Sequence, residues 1–239
     1  MSTSKSCSEW QALSESLNLR TQAFVDGRYV DAASGKSFEC RSPIDGRLLA
    51  TVAECEQEDV NRAVAVARQR FEQGVWSETK PTHRKRVLQR FAQLIEQHAE
   101  ELALLESLDM GKPVCDAFNV DLSGTIRCMN WTAEAIDKVF GEVAPTGPGE
   151  LGLVTREPLG VVAAIVPWNF PLLMATWKIA PALAMGNSVI LKPSEKSPLS
   201  AIRLAALAIE AGVPAGVFNV LPGFGNGAGE PMALHMDVD

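Results

Sequence analysis

No two cysteines of this 239-residue chain stand in a C-x-x-C spacing. The five present, Cys7, Cys40, Cys55, Cys115 and Cys128, are scattered and odd in number. That excludes zinc-finger and thioredoxin-like chemistry, and no metal is expected. A reducing cytoplasm is the compartment that fits. Histidine is scarce too: His83, His98 and His235 lie far apart, and His98 falls in a helical pattern as a surface or boundary residue. No apolar run approaches the roughly 20 residues of a membrane span. The opening "MSTSKSCSEWQALSES" lacks the apolar core of a secretory signal. Basic residues are outnumbered, 22 Lys and Arg against 29 Asp and Glu. The net charge of −7 makes nucleic acid and anionic membranes poor candidates as partners.

What is present reads as a globular chain with a core, 46% apolar. The length suits one large domain or two smaller ones. "FVDGRYVDA" sets Asp26-Gly27 between two short alternating runs, a hairpin signal, and "SPIDGRLLATV" repeats it with Asp45-Gly46. From Val60 the apolar set Val60, Ala63, Val64, Ala67, Phe71 traces one face of a helix. Val87 through Leu105 continues the pattern until "DMGKP" breaks it. A further helix is expected from about Cys115 to Phe140, and "GEVAPTGPGELGLVTREPLG" reads as a β-hairpin arm.

From Gly160 the pattern changes. "GVVAAIV" is apolar without alternation, as in a parallel strand buried on both faces. A helix from Pro171 to Met185, the strand "NSVILK", a helix capped by Ser197 with Pro198 at its first position, and the strand "GVFNVL" complete a βαβαβ unit.

Ligands of such sheets sit beyond the carboxyl ends of the strands. Asn169 stands there after the first strand, and two uses are open to it. Its amide can donate to a developing oxyanion, or it can cap the next helix. Lys192 and Glu195 follow the second strand and could clasp two ribose hydroxyls or form a surface ion pair. Gly223, Gly225 and Ala228 fit the looser G-x-G-x-x-A fingerprint, but after the third strand rather than the first. A tight turn beside a cofactor is the expected role.

Taken together, "LDMGKP", "VPWNFP", "GNSVILKPSEKSP" and "EAGVPAGVFNVLPGFG" resemble the aldehyde dehydrogenase superfamily from about Phe24 onward. Within it, "AAIVPWNFPLL" and "WTAEAIDKVFGEV" resemble bacterial gamma-glutamyl-gamma-aminobutyraldehyde and guanidinobutyraldehyde dehydrogenases. The resemblance implies an α/β fold. A Rossmann-like parallel-sheet cofactor domain, incomplete here, follows a helical region with small β-hairpins and a β arm. The implied division is a lead segment 1–22, a helical part 23–140, an oligomerisation arm 141–159 and a truncated NAD-binding part 160–239.

The resemblance also implies roles. Asn169 would donate to a hemithioacetal oxyanion. Ile165, Val166, Pro167, Trp168, Lys192, Ser194, Glu195 and Gly225 would line the NAD site, with Lys192 and Glu195 on the adenosine ribose. Phe170, Met174 and Trp177 would line an aldehyde tunnel, and Lys178 would lie near the reacting centre. An ω-amino or guanidino aldehyde is the implied substrate, with Asp116 and Asp121 at the tunnel mouth attracting its cationic tail. A dimer or tetramer of like chains is implied. The superfamily's nucleophilic "GQ-x-C" loop, its "ELGGK" base and its "GST-x-x-G" turn are not among the 239 residues. The chain is therefore expected to resemble an amino-terminal fragment, inactive alone. The alternatives are a non-catalytic nucleotide-binding or subunit-interaction module and an unrelated Rossmann dehydrogenase.

Overall fold

The apolar run after Gly160 forms the strand its composition calls for. In the computed structural model, which describes residues 5–239, β7 (Val161–Ile165) pairs in parallel with β8 (Ser188–Lys192), and β8 with β9 (Phe218–Val220). The first four residues of the expected lead segment lie outside the described residues. Helix α7 (Pro171–Ala184) joins β7 to β8, and α8 (Leu199–Ala211) joins β8 to β9. Every residue of β8 is buried. Its side chains alternate between two cores, as strand geometry requires. Val189 and Leu191 meet the larger one, with Leu172, Ile179 and Leu204 of α7 and α8. Ile190 meets the smaller one, with Val60, Val64 and Ala67 of α2 (Gln57–Glu72). A strand covered on both sides has no polar face to show, hence the unbroken apolar sequence.

The first hairpin has a use its sequence did not announce. Strands β1 (Ala23–Val25) and β2 (Arg28–Val30) pair around Asp26 and Gly27, both at positive φ, 54° and 75°. That is the turn Asp-Gly favours. Gly27 is needed twice over, because a Cβ there would lie 2.8 Å from the Cβ of Ala215. β1 then pairs antiparallel with β9, giving the sheet order β2-β1-β9-β8-β7. The edge of β9 is therefore covered, and β2 and β7 are the two edge strands of this sheet among the described residues.

The second hairpin, β3 (Ser37–Arg41) with β4 (Leu48–Ala53), forms a separate sheet around the Asp45-Gly46 turn. A short helix, α1 (Cys7–Glu15), precedes these strands and buries Trp10. The expected long helical pattern divides at His98 into α3 (Pro81–Gln97) and α4 (Ala99–Met110), and Gly111 ends α4 at φ 83°. After Pro113 comes α5 (Val114–Asp116), a wider π turn over Ala117–Leu122, α6 (Ser123–Ala135) and a 3-10 turn over Ile136–Lys138. The arm is a two-stranded antiparallel ribbon, β5 (Glu142–Ala144) with β6 (Gly152–Val154). It leaves Val143, Leu151 and Leu153 exposed. After β9, a π turn over Gly225–Gly229 leads into α9 (Glu230–Ala233).

One helix start differs from expectation. Pro198, not Ser197, occupies the cap position of α8, and the Ser197 hydroxyl is buried without a partner. The acceptor comes from another helix: Asp109 Oδ2 takes the Leu199 N–H at 3.0 Å. α7 starts the same way, with Glu106 Oε1 accepting from Leu172 N at 2.6 Å. Both carboxylates belong to α4.

Candidate functional site at the strand ends

The carboxyl ends of β7 and β8 lie side by side, because Ile165 registers against Lys192. Val166 continues the pairing by donating its N–H to the Lys192 carbonyl at 3.1 Å. Beyond that point the chain after β7 turns outward. Pro167, Trp168 and Asn169 are exposed, while Phe170 takes the cap position of α7. Asn169 is therefore not the helix cap, which removes one of its two possible uses. Its side-chain amide makes no hydrogen bond among the described residues, whereas its backbone carbonyl accepts from Lys112 Nζ at 3.3 Å.

Lys112 organises this turn. Its ammonium pairs with Asp121 and stands 3.8 Å from the centroid of the Phe170 ring, a cation–π contact. Asp121 is fully buried, so its expected place at a tunnel mouth is corrected: it is the counter-ion of Lys112. Burial of the acid is the physical reason, since an unpaired carboxylate there would carry a large desolvation cost. Asp116 is exposed as expected. Glu106 lies close to Asp121, and burial first, then that neighbour's charge, pushes its carboxyl well above the usual range.

After β8 the chain folds inward. Lys192, at 3% exposure, donates from Nζ to the carbonyls of Pro193 at 2.8 Å and Gly223 at 2.7 Å. It makes no ion pair with Glu195. Burial lowers its pKa, partly opposed by the Glu195 charge. An ammonium has three protons, so two carbonyls leave one for a ligand. Ser194 is buried and Glu195 half-buried, with the two side chains 3.4 Å apart.

Glu195 and Trp168 both line a cavity of about 470 Å3, together with Phe38, Met110 and Phe224. Gly225 borders open space, with nothing within 4 Å of where a Cβ would stand. These features suit a dinucleotide: a spare ammonium proton, a carboxylate for ribose hydroxyls and a clear approach at Gly225. Trp177 lies in a second, smaller groove of about 300 Å3 with Val120, Arg127, Cys128, Trp131 and Leu173. Phe170 and Met174 are half-buried beside it in sequence, and Lys178 is exposed. Neither Phe170 nor Met174 lines that groove.

The sequence reading missed Lys112, Glu106 and Asp109. The signal for the acids was present: two carboxylates three residues apart in a mostly apolar stretch, "ALLESLDM". Acids at buried positions need partners, and the buried first-turn amides of two helices, Leu172 and Leu199, were the unassigned donors.

The aldehyde dehydrogenase family model matches residues 29–239. The chain belongs to the aldehyde dehydrogenase family. It is similar to the NADP/NAD-dependent aldehyde dehydrogenase PuuC of Escherichia coli (strain K12), 54% identical over 96% of this chain and 46% of that protein. A solved gamma-glutamyl-gamma-aminobutyraldehyde dehydrogenase from Burkholderia cenocepacia J2315 has a TM-score of 0.95 and 60% identity, covering 97% of this chain and 47% of that one. The indole-3-acetaldehyde dehydrogenase AldA of P. syringae, solved with NAD+ and IAA, has a TM-score of 0.96 and 60% identity over the same shares. The chain spans about half the length of the curated relatives it matches. As a member of this family, its βαβαβ unit has the fold of those relatives' corresponding parts.

Proposed function

We propose that this chain supplies the NAD-holding part and the oxyanion donor of an enzyme that oxidises an aldehyde to a carboxylic acid. The observation that carries it is the pairing of opposites at adjacent strand ends: an exposed amide with no partner and a buried ammonium with one proton to spare. Lys192, Glu195 and Ser194 would hold the adenosine ribose. Ile165, Val166, Pro167, Trp168 and Gly225 would line the rest of the cofactor site. NAD, when bound, supplies the acceptor for hydride. Asn169 would hold the carbonyl oxygen as negative charge develops on it.

The attacking thiolate has no candidate at these strand ends. Cys40 is pushed up to about 12 by burial, and burial also raises Cys55 and Cys128. A protonated thiol is a poor nucleophile. Cys128 lies in the Trp177 groove, on α6 rather than at a strand end. The 239-residue chain alone is therefore proposed to bind NAD+ without turning over. Calorimetric titration should show NAD+ binding that weakens at least tenfold in Lys192→Met, with the melting curve as a check on folding. Equal affinity in the variant overturns the site. Steady NADH formation that disappears in Cys128→Ser overturns the inactivity.

For the substrate, the relative's gamma-glutamyl-gamma-aminobutyraldehyde supports an ω-amino or guanidino aldehyde. A second reading has its own observation. The Trp177 groove is lined by Trp131, Val120 and Leu173 and contains no carboxylate, which favours a flat apolar side chain such as the indole of the other relative. Rates with aminobutyraldehyde and with indole-3-acetaldehyde, in an enzyme carrying this segment together with the nucleophile, decide between them.

The division into a lead segment, a helical part, an arm and a cofactor part remains part of this proposal. The exposed Val143, Leu151 and Leu153 of the arm support association of like chains, as an unpaired apolar ribbon would. No helix among the described residues is long and apolar enough to cross a membrane. The proposed setting is the cytoplasm, without nucleic-acid or membrane partners.

A further inference from the structure

A further concavity, of about 300 Å3, shares no lining residue with the strand-end cavity or with the Trp177 groove. Asn18 and Arg20 reach it from the segment before β1, Tyr29 from β2, Glu101 from α4, and Arg203 from α8. Its donors outnumber its acceptors. Glu101 Oε1 accepts from Arg203 Nε at 2.8 Å, and its Oε2 lies 2.8 Å from His98 Nδ1. An ionised carboxylate has no proton to give, so Nδ1 must donate to it. Arg203 Nη2 stands 3.3 Å from that same Nδ1. In the tautomer that carries its proton on Nδ1 and donates it to Glu101, the same nitrogen cannot accept from Nη2, which then has no acceptor among the described residues. Arg20 has none either: its guanidinium lies 5.3 Å above the Tyr29 ring and makes no ion pair among the described residues. Among the described residues one carboxylate, already engaged twice, is the only anion lining a cleft with two guanidinium groups.

We propose that this cleft is an oxyanion-binding site, taking a phosphate group on Arg20 and Arg203, with the Asn18 amide and Tyr29 hydroxyl as further donors. Guanidinium forks match phosphate geometry, so two of them confer shape selectivity as well as charge. Burial raises the Tyr29 pKa, with the two arginines opposing, so the hydroxyl keeps its proton and can donate. The phosphate can be the free ion or a monoester, since the chemistry recognised is the same.

The test titrates the 239-residue chain with inorganic phosphate, with glycerol 3-phosphate and with acetate, by calorimetry at low ionic strength. Saturable binding of either phosphate, with acetate at least tenfold weaker, is expected. Tighter glycerol 3-phosphate identifies a monoester site, and equal affinities identify a site for the free ion. Arg20→Gln should weaken phosphate at least tenfold without moving the melting temperature, because Arg20 is exposed and supports no ion pair. Arg203→Gln should do the same but leaves Glu101 with His98 alone, so Arg20→Gln is the variant that decides if that one fails to fold. No saturable phosphate binding, equal binding of acetate, or unchanged phosphate affinity in Arg20→Gln overturns the proposal.

Discussion

The turn after β7 and the turn after β8 begin from the same construction and end in opposite states. Each leads past a proline into a helix, and each helix has an early amide held by a buried carboxylate from α4: Leu172 by Glu106, Leu199 by Asp109. After β7 the turn is exposed and its amide side chain unpartnered. After β8 the turn is buried and its lysine already holds two carbonyls. The difference shows what α4 does for the site. With helix starts satisfied from outside, neither turn has to use its own polar side chains as caps. Neither Asn169 nor Glu195 is spent on a helix start, and one helix, α4, holds both starts.

The largest effects should come from removing that shared support. Asp109→Ala leaves the Leu199 N–H buried without an acceptor, at a cost of about 1–3 kcal/mol. Glu106→Ala should cost a similar amount at Leu172. Asp109→Asn and Glu106→Gln keep an acceptor oxygen in place and should recover most of it. Urea unfolding measures all four. If Asp109→Ala unfolds at the wild-type midpoint, the two junctions are not built alike.

A pH series sharpens the same point. Burial raises both carboxyls above their ordinary range, against the pull of the amide N–H groups. The folded state then binds more protons than the unfolded one, so stability falls as pH rises from about 4 through the folded pKa values. Other acids oppose this trend at low pH: Asp137, held down to about 2 by Lys138 and Lys85, and Asp239, held down chiefly by the Val161 N–H. The comparison is therefore wild type against the double variant Glu106→Gln, Asp109→Asn. The stability gap should narrow or reverse in the variant's favour as pH rises, and a gap independent of pH would show both carboxyls titrating normally.

Glu195→Gln acts on one turn only. A carboxylate favours free ribose hydroxyls and repels a 2′-phosphate. The ratio of NAD+ to NADP+ affinity should fall severalfold, with the melting temperature unchanged. A constant ratio would remove Glu195 from the ribose.

The parallel strands were legible because unbroken apolar runs mark them in composition. Full burial on both faces holds for β8 but not for β7, where Val162 and Ala163 are half-buried and Ile165 is exposed. "GVVAAIV" and "NSVILK" needed no tertiary information, and Asp26-Gly27 marked its turn through backbone preference alone. Pairing between distant segments was not legible. Nothing in "FVDGRYVDA" says that Phe24 will lie beside Val220, since strand edges are alike in hydrogen-bonding terms. The site divided along the same line. Residues at strand ends could be placed by topology, as Asn169, Lys192 and Glu195 were. Residues that act across the core could not: Lys112 and Asp121 meet through folding, and Asp121 was placed at the tunnel mouth for want of its partner.

The smallest expected effect is the most informative about Asn169. If its amide were a cap or a strut, Asn169→Ala would cost about 0.5–2 kcal/mol, the usual range for a lost cap. The structure places it one residue before the cap, exposed, with only its backbone carbonyl engaged by Lys112. Alanine keeps that carbonyl, so the stability change should stay within about 0.5 kcal/mol. Lys112→Met is the contrasting variant. It removes the contact to the Asn169 carbonyl and the Phe170 ring and leaves Asp121 buried without a counter-charge, so hydrogen exchange over residues 166–174 should speed up. Lys112→Arg, which restores a cation to Asp121, should slow it again. In an enzyme that carries this turn together with its nucleophile, Asn169→Ala should lower turnover on the order of 10²–10³-fold, the range for loss of one oxyanion donor. A residue that costs almost nothing to remove from the fold and that much from the reaction is held in place for chemistry. A destabilisation above about 1 kcal/mol in Asn169→Ala would instead return it to structure.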